Sequence, residues 1–268
     1  MTATRTMLET VLGDLEQEST ALEALVAPLD EAGWRTATAA PGWDIAHQIA
    51  HLAWTDEAAV VAATDKRAWD AIVGEAARDP GGFVDAAADR GARTPGPELL
   101  ARWVAARAAL AAALTGFPAG ERMPWFGPPM SPTSMATARY METWAHALDV
   151  ADALGVTLPV TDRIRHLVHL GVRTRNYAFA VHGLPPPTDE FRVELVGPGG
   201  DTWRYGPDDA AQSVRGTAYH FALLVTQRRH RSDLDLTAHG ADADRWLDIA
   251  QAFAGPPGRG RPPTGSAP

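Results

Sequence analysis

Leu8, Val11, Leu12, Leu15, Leu22, Leu25, Val26 and Leu29 recur at intervals of three and four with polar positions between them. That is the period of a long amphipathic first helix. Pro41-Gly42 breaks the pattern, and a second helix is predicted from about Asp44 to Thr64, with Asp44 placed to cap it. Short helical pieces are predicted over Ala68–Ala77 and Phe83–Asp89, separated by Asp79-Pro80-Gly81-Gly82. Pro97 opens a long Ala-rich helix to about Leu114, which turns Leu99, Leu100, Trp103, Val104 and Leu110 inward. A Pro/Gly-rich connection runs from Pro118 to Pro132, and a fourth long helix follows from about Thr133 to Leu154, ended by Gly155. Four long helices with two extended connections describe a bundle.

The texture changes after Pro159. A helix is predicted from Asp162 to about Ala180, stopped by Pro185-Pro186-Pro187. Phe191 to Val196 alternates as a strand should, Gly197-Pro198-Gly199-Gly200 turns it, and Asp201 to Tyr205 returns as a hairpin partner. Ser213 to Gly216 reads as a further short strand, and Tyr219–Gln227 and Ala243–Ala254 as helices. The expected fold is therefore mainly α, a four-helix bundle over 1–158 followed by a small α+β domain over 159–254. The low-complexity stretch 255–268 is expected to be a disordered tail.

Composition narrows the function without naming it. With 46% hydrophobic and 21% charged residues the chain can bury a core. A net charge of −9 offers no basic stripe for nucleic acid. No continuous apolar run approaches the roughly 18 residues that span a bilayer, and the acidic, amphipathic start does not resemble a secretory signal. The expectation is a cytoplasmic monomer or homodimer with no nucleic-acid or membrane partner. The chain has no cysteine. Disulfides, thiolate ligands and a protein-borne thiol nucleophile are excluded, so sulfur chemistry would need a bound small thiol. No GxGxxG, GxxxxGK[ST] or GxSxG motif is present.

The candidate chemistry lies in two helical segments. One is Gly42-Trp43-Asp44-Ile45-Ala46-His47-Gln48-Ile49-Ala50-His51-Leu52; the other is Arg139-Tyr140-Met141-Glu142-Thr143-Trp144-Ala145-His146-Ala147-Leu148-Asp149. Residues four apart share a helix face, so Glu142 and His146 can reach one ion together. His51 from the second helix would complete two imidazoles and a carboxylate, a set that leaves zinc an open position. His47 and His51 also form an i, i+4 pair, so His47 is a further ligand, a hydrogen-bond partner supporting a ligand, a general base, or a residue tying down the helix start. Asp149 can orient His146 through its outer nitrogen or serve as a cap. Arg139 reads as a fork for a carboxylate or as one half of an ion pair. Trp43, Trp54, Trp125 and Trp144 are pocket aromatics or plain core. Gln227-Arg228-Arg229-His230-Arg231 is a short basic cluster that reads as a solvated helix end, with an anionic cofactor as the alternative.

The pairing of GW-x4-H-x3-HLA with R-x2-E-x3-H-x2-D resembles the DinB-like metal-binding bundles, and within them is similar to the mycothiol-dependent maleylpyruvate isomerases and their uncharacterised relatives. The resemblance runs from the first helix to about Phe253. It implies a metal-binding bundle followed by a domain shaped like sterol-carrier proteins, with His51, Glu142 and His146 as metal ligands. It further implies zinc or another divalent metal, a low-molecular-weight thiol such as mycothiol, and a small electrophilic substrate undergoing isomerisation, transfer or conjugation. His47 and Arg139 are then the candidates for proton handling and anion binding, and Arg139 and Trp54 for contact with the cofactor. The alternatives are a metal-dependent hydrolase or cyclase without a thiol, and a non-catalytic module in which the ion staples the bundle.

Overall fold

The computed structural model describes residues 6–265 and divides into two compact units, 1–158 and 159–268. In the first, α1 (Met7–Val26) and a single-turn α2 (Glu31–Trp34) lead into α3 (Ile45–Thr64). Then come α4 (Lys66–Arg78), α5 (Phe83–Ala92), α6 (Gly96–Gly116) and α7 (Pro132–Leu154). Thr6 closes a capping box on α1, Asp44 and Ser131 cap α3 and α7, and Gly155 ends α7 in the left-handed conformation at φ 65°. The first helix stops three residues short of Leu29, because the chain turns there into α2.

α3 is the central helix, packed against α5, α6 and α7, while α1 covers α7. Leu22, Trp34, Ile45, Ile49, Leu52, Leu99, Trp103 and Val150 form one buried cluster. α6 is long and apolar enough to cross a bilayer. Its apolarity comes largely from alanines on its exposed face, including Ala101, Ala105, Ala108 and Ala112. Its inward residues Leu99, Trp103, Leu110 and Leu114 fill the bundle, and Arg102 and Arg107 pair with Glu57 and Glu23.

In the second unit the expected single helix is broken at Thr174 into α8 (Arg165–Arg173) and α9 (Arg175–Val181). Strands β1 (Arg192–Val196), β2 (Thr202–Tyr205), β3 (Ser213–Thr217) and β4 (Leu236–His239) form one sheet in the order β2-β1-β3-β4. β1–β2 is the antiparallel hairpin; β1–β3 is parallel and β3–β4 antiparallel. The parallel step forces a crossover, whereas a hairpin needs only a turn. Helices α10 (Ala218–Val225) and α11 (Ala241–Ile249) complete the unit, burying Phe221, Val225, Trp246 and Leu247. Residues 255–265 run back along it. Tyr177 Oη bonds both the N–H and the carbonyl of Gly255, and Asp233 accepts from the Thr264 amide and hydroxyl.

Candidate metal centre

Polar links described between α3 and α7 include Gln48 to His146, His51 to Glu142, and Asp56 to Arg139. The residue numbers rise along one helix as they fall along the other, so the helices run antiparallel with these pairs as rungs. The middle rung carries the donor cluster. Glu142 Oε2 lies 3.3 Å from His51 Nε2 and 3.2 Å from His146 Nε2, and one donor atom from each residue falls within 4.8 Å of the others. Donors at the corners of a tetrahedron around zinc, about 2.0–2.1 Å from it, stand roughly 3.3–3.4 Å apart. The two measured edges match.

The hydrogen bonds behind the cluster decide which nitrogen of His146 faces it. Thr38 Oγ1 donates to the Trp43 carbonyl at 2.9 Å, so its lone pairs accept from Gln48 Nε2 at 2.8 Å. That fixes the Gln48 amide with its oxygen toward His146, where it accepts from Nδ1–H. Neutral His146 therefore turns the lone pair of Nε2 toward a carboxylate oxygen. Two lone pairs face each other there unless a proton or a cation lies between them. His51 differs. Its Nδ1 is buried without a hydrogen-bond partner among the described residues, and rings flank the imidazole instead, Trp43 at 5.4 Å and Trp54 at 6.3 Å between centroids.

Burial alone pushes the Glu142 carboxyl up, but the two imidazoles beside it outweigh this and hold it well below the usual carboxylate range. Glu142 is thus held in its anionic form. The Glu142 side chain is 23% exposed against 10% for each histidine, so the cluster opens to solvent on the glutamate side. Trp43 covers another side, its ring lying 6.0 Å from His146 and its Nε1 donating to Asp85 on α5 at 3.1 Å. Beyond His51, Trp54 packs edge-on to Phe83 and meets Phe126, which stands 42% exposed on the Pro/Gly-rich connection.

The family described as mycothiol maleylpyruvate isomerase N-terminal domain matches residues 15–151, just over half of the chain. The chain belongs to that family. A second family description, wyosine base formation, matches residues 187–239. Uncharacterized proteins from two strains of Mycobacterium tuberculosis are 58% identical over 250 residues, 93% of this chain and 97% of theirs. The crystal structures of the mycothiol-dependent maleylpyruvate isomerase and of a histidine-to-alanine mutant of it superpose with a TM-score of 0.60. These cover 90% of this chain and 99% of that one at 15% identity, a likeness of fold.

In this member of the mycothiol maleylpyruvate isomerase N-terminal domain family, the residues singled out from sequence fall into two groups. His51, Glu142 and His146 converge, and Trp54 adjoins them. His47 and Arg139 are engaged elsewhere. His47 Nδ1 lies 2.6 Å from Asp44 Oδ1 at the start of α3, and its Nε2 lies 3.0 Å from Asp89 Oδ1 on α5. Of the roles open to it, this is the tying down of the helix start. Arg139 donates from Nε to Asp56 at 2.8 Å with both side chains no more than 4% exposed, so its guanidinium forms a core ion pair and is not presented to solvent as a fork. The residue behind His146 that sequence reading passed over is Gln48. A lone amide inside the apolar stretch Ile45 to Leu52, three residues before His51, was the available signal.

Removing that amide tests the arrangement. Gln48→Leu is expected to lower zinc affinity about 10–100-fold, the usual effect of losing a partner that orients a ligating histidine. Thr38→Val should give a smaller loss, since it frees the amide to flip. Competition with a chromophoric chelator measures both; unchanged affinity in Gln48→Leu would show that the rung does not orient the ligand.

Proposed function

We propose that this protein is a metal-dependent enzyme in which His51, Glu142 and His146 hold zinc or a similar divalent ion that activates a small external thiol. The substrate is a small electrophilic metabolite, and the reaction an isomerisation, transfer or conjugation. The observation that carries the reading is the three-donor cluster, with two of its edges at tetrahedral spacing and its Glu142 side open to solvent. The family assignment and the structural likeness to a mycothiol-dependent isomerase support the thiol. So does the chain's composition: without cysteine, a sulfur nucleophile must be brought in. A divalent ion at such a site supplies Lewis acidity that favours the thiolate form at neutral pH.

The chain's own residues do the rest. Gln48 holds His146 in the tautomer whose Nε2 can ligate, and Trp43 keeps water from one side of the cluster. Trp54, Phe83 and Phe126 offer an apolar wall for the body of a bound molecule. His47 and Arg139 act at a distance, by fixing the start of α3 and the packing of α3 on α7.

The test is a screen of small thiols against the cobalt-substituted protein. A thiol that enters the open position shifts and intensifies the visible cobalt absorption. A spectrum indifferent to every thiol at millimolar concentration would remove the thiol from the proposal. Loss of helical content on chelation would instead favour an ion that only staples the bundle.

A further inference from the structure

Phe126 lies at the junction of four rings: Trp69 at 4.9 Å, Trp125 at 5.2 Å, Phe83 at 5.8 Å and Trp54 at 6.3 Å between centroids. Trp69, the one buried residue of α4, stacks on Trp125 at 5.6 Å with the planes 15° apart. Trp54 in turn lies 6.3 Å from the His51 ring. Ring contacts therefore lead without a break from a candidate metal ligand to an exposed residue of the Pro/Gly-rich connection.

That connection is built to hold Phe126 in place. Met123 and Met130 exchange both backbone hydrogen bonds at 2.9 Å, and Met123 is fully buried. Arg122 Nη1 donates to the Pro129 carbonyl at 3.2 Å. Between the two methionines, Pro124, Pro128 and Pro129 restrict the backbone. The loop is thus a pinned hairpin that carries Trp125 and Phe126 at its tip. It also has no charged residue from Met123 to Ser131. Rings that served only to fasten the loop to α3 and α4 would gain by closing over one another. Instead Trp54 and Trp125 are half-buried and Phe126 is exposed, which leaves a continuous aromatic surface in water. An apolar patch of this kind on an ordered segment marks a binding surface.

Continuity with His51 decides what the surface receives. We propose that it takes the body of the electrophilic substrate, that this body is a flat aromatic or conjugated ring, and that Phe126 is the residue that selects it. The inference rests on the metal reading above, which supplies the reacting end. Partly open ring faces and edges offer a flat π-system the offset and edge-to-face contacts that such systems prefer. A sugar-like body would need hydrogen-bonding side chains around the rings. Between Met123 and Met130 the Trp125 indole is the only one.

Two hydroxamates with the same metal-binding head test the proposal on the cobalt-substituted protein, with affinity read from the visible cobalt absorption. 3-Phenylpropanohydroxamate is expected to bind roughly tenfold more tightly than acetohydroxamate. The 3-cyclohexyl analogue should fall between them. Phe126→Ala should remove most of the phenyl advantage, and Phe126→Leu, apolar but without a ring, should remove part of it. Acetohydroxamate has no body to reach the rings and should bind all three proteins alike, which also reports an intact metal site. A spectrum unmoved by either hydroxamate would refute the open metal position, and this inference with it. A response to both heads with equal affinities, a cyclohexyl analogue as tight as the phenyl, or an advantage that survives in Phe126→Ala would overturn the aromatic subsite alone. So would a dimer that Phe126→Ala dissociates, since the patch would then pair two copies of the chain.

Discussion

Glu142→Ala is expected to abolish tight uptake of zinc or cobalt while leaving far-ultraviolet circular dichroism unchanged. Glu142 supplies the one oxygen that touches both imidazoles, and the only negative charge in the cluster. Its loss leaves two neutral nitrogens, so the fall in affinity should exceed the roughly 10–100-fold expected when a supporting partner is lost. The side chain is partly open to solvent, so its truncation leaves no closed cavity and the bundle should stay folded. Glu142→Gln separates charge from shape and should fail nearly as badly. Metal content after dialysis against a weak chelator is the measurement; retained metal in the alanine variant would refute the ligand assignment.

Asp56→Ala is expected to cost the bundle about 3–5 kcal/mol, the usual penalty for breaking a buried pair from one side. The Arg139 guanidinium would be stranded between α3 and α7, where its Nη2 already has no hydrogen-bond partner among the described residues. Removing both partners is a different experiment. Asp56→Leu with Arg139→Met should recover most of the loss, since apolar replacements of buried ion pairs are often neutral or stabilising. Urea denaturation followed by tryptophan fluorescence compares the three proteins. The pair also carries an acid-side signature. Burial raises the Asp56 pKa, with Arg139 only partly opposing it. Between the unfolded value and the higher folded one, the native chain binds more protons than the unfolded chain, so this group's contribution to stability falls as pH rises. The double variant should lose that slope.

Much of the bundle was legible because its helices advertise themselves: three- and four-residue periods, a capping aspartate at 44, and a terminating glycine at 155. The convergence of His51 with Glu142 and His146 was legible for a different reason. Spacing places two donors on one face of α7, and resemblance supplied the third from α3. What sequence did not reveal is tertiary. Neither Asp56 nor Gln48 carries a local mark of its partner 83 or 98 residues away. Arg139 shares a face with Glu142, yet it turns to Asp56 because the core offers it an acid there. Strand β4 falls in no element predicted from sequence, although Leu234, Leu236 and Ala238 alternate; its register comes from pairing with β3. The break at Thr174 was equally hidden, since the hydroxyl that marks it bonds the Gln251 carbonyl far along the chain.

The outer rungs between α3 and α7 need no ion. Gln48 with His146 and Asp56 with Arg139 keep the two helices in step whether or not the middle position is filled. A cation extracted from such a protein leaves behind a mould and not a coil, in contrast to zinc fingers, which collapse when stripped. Exchange of one ion for another can then proceed by the swing of a glutamate, without unfolding. On the proposed reading, the metal taken up would be a matter of supply and donor preference.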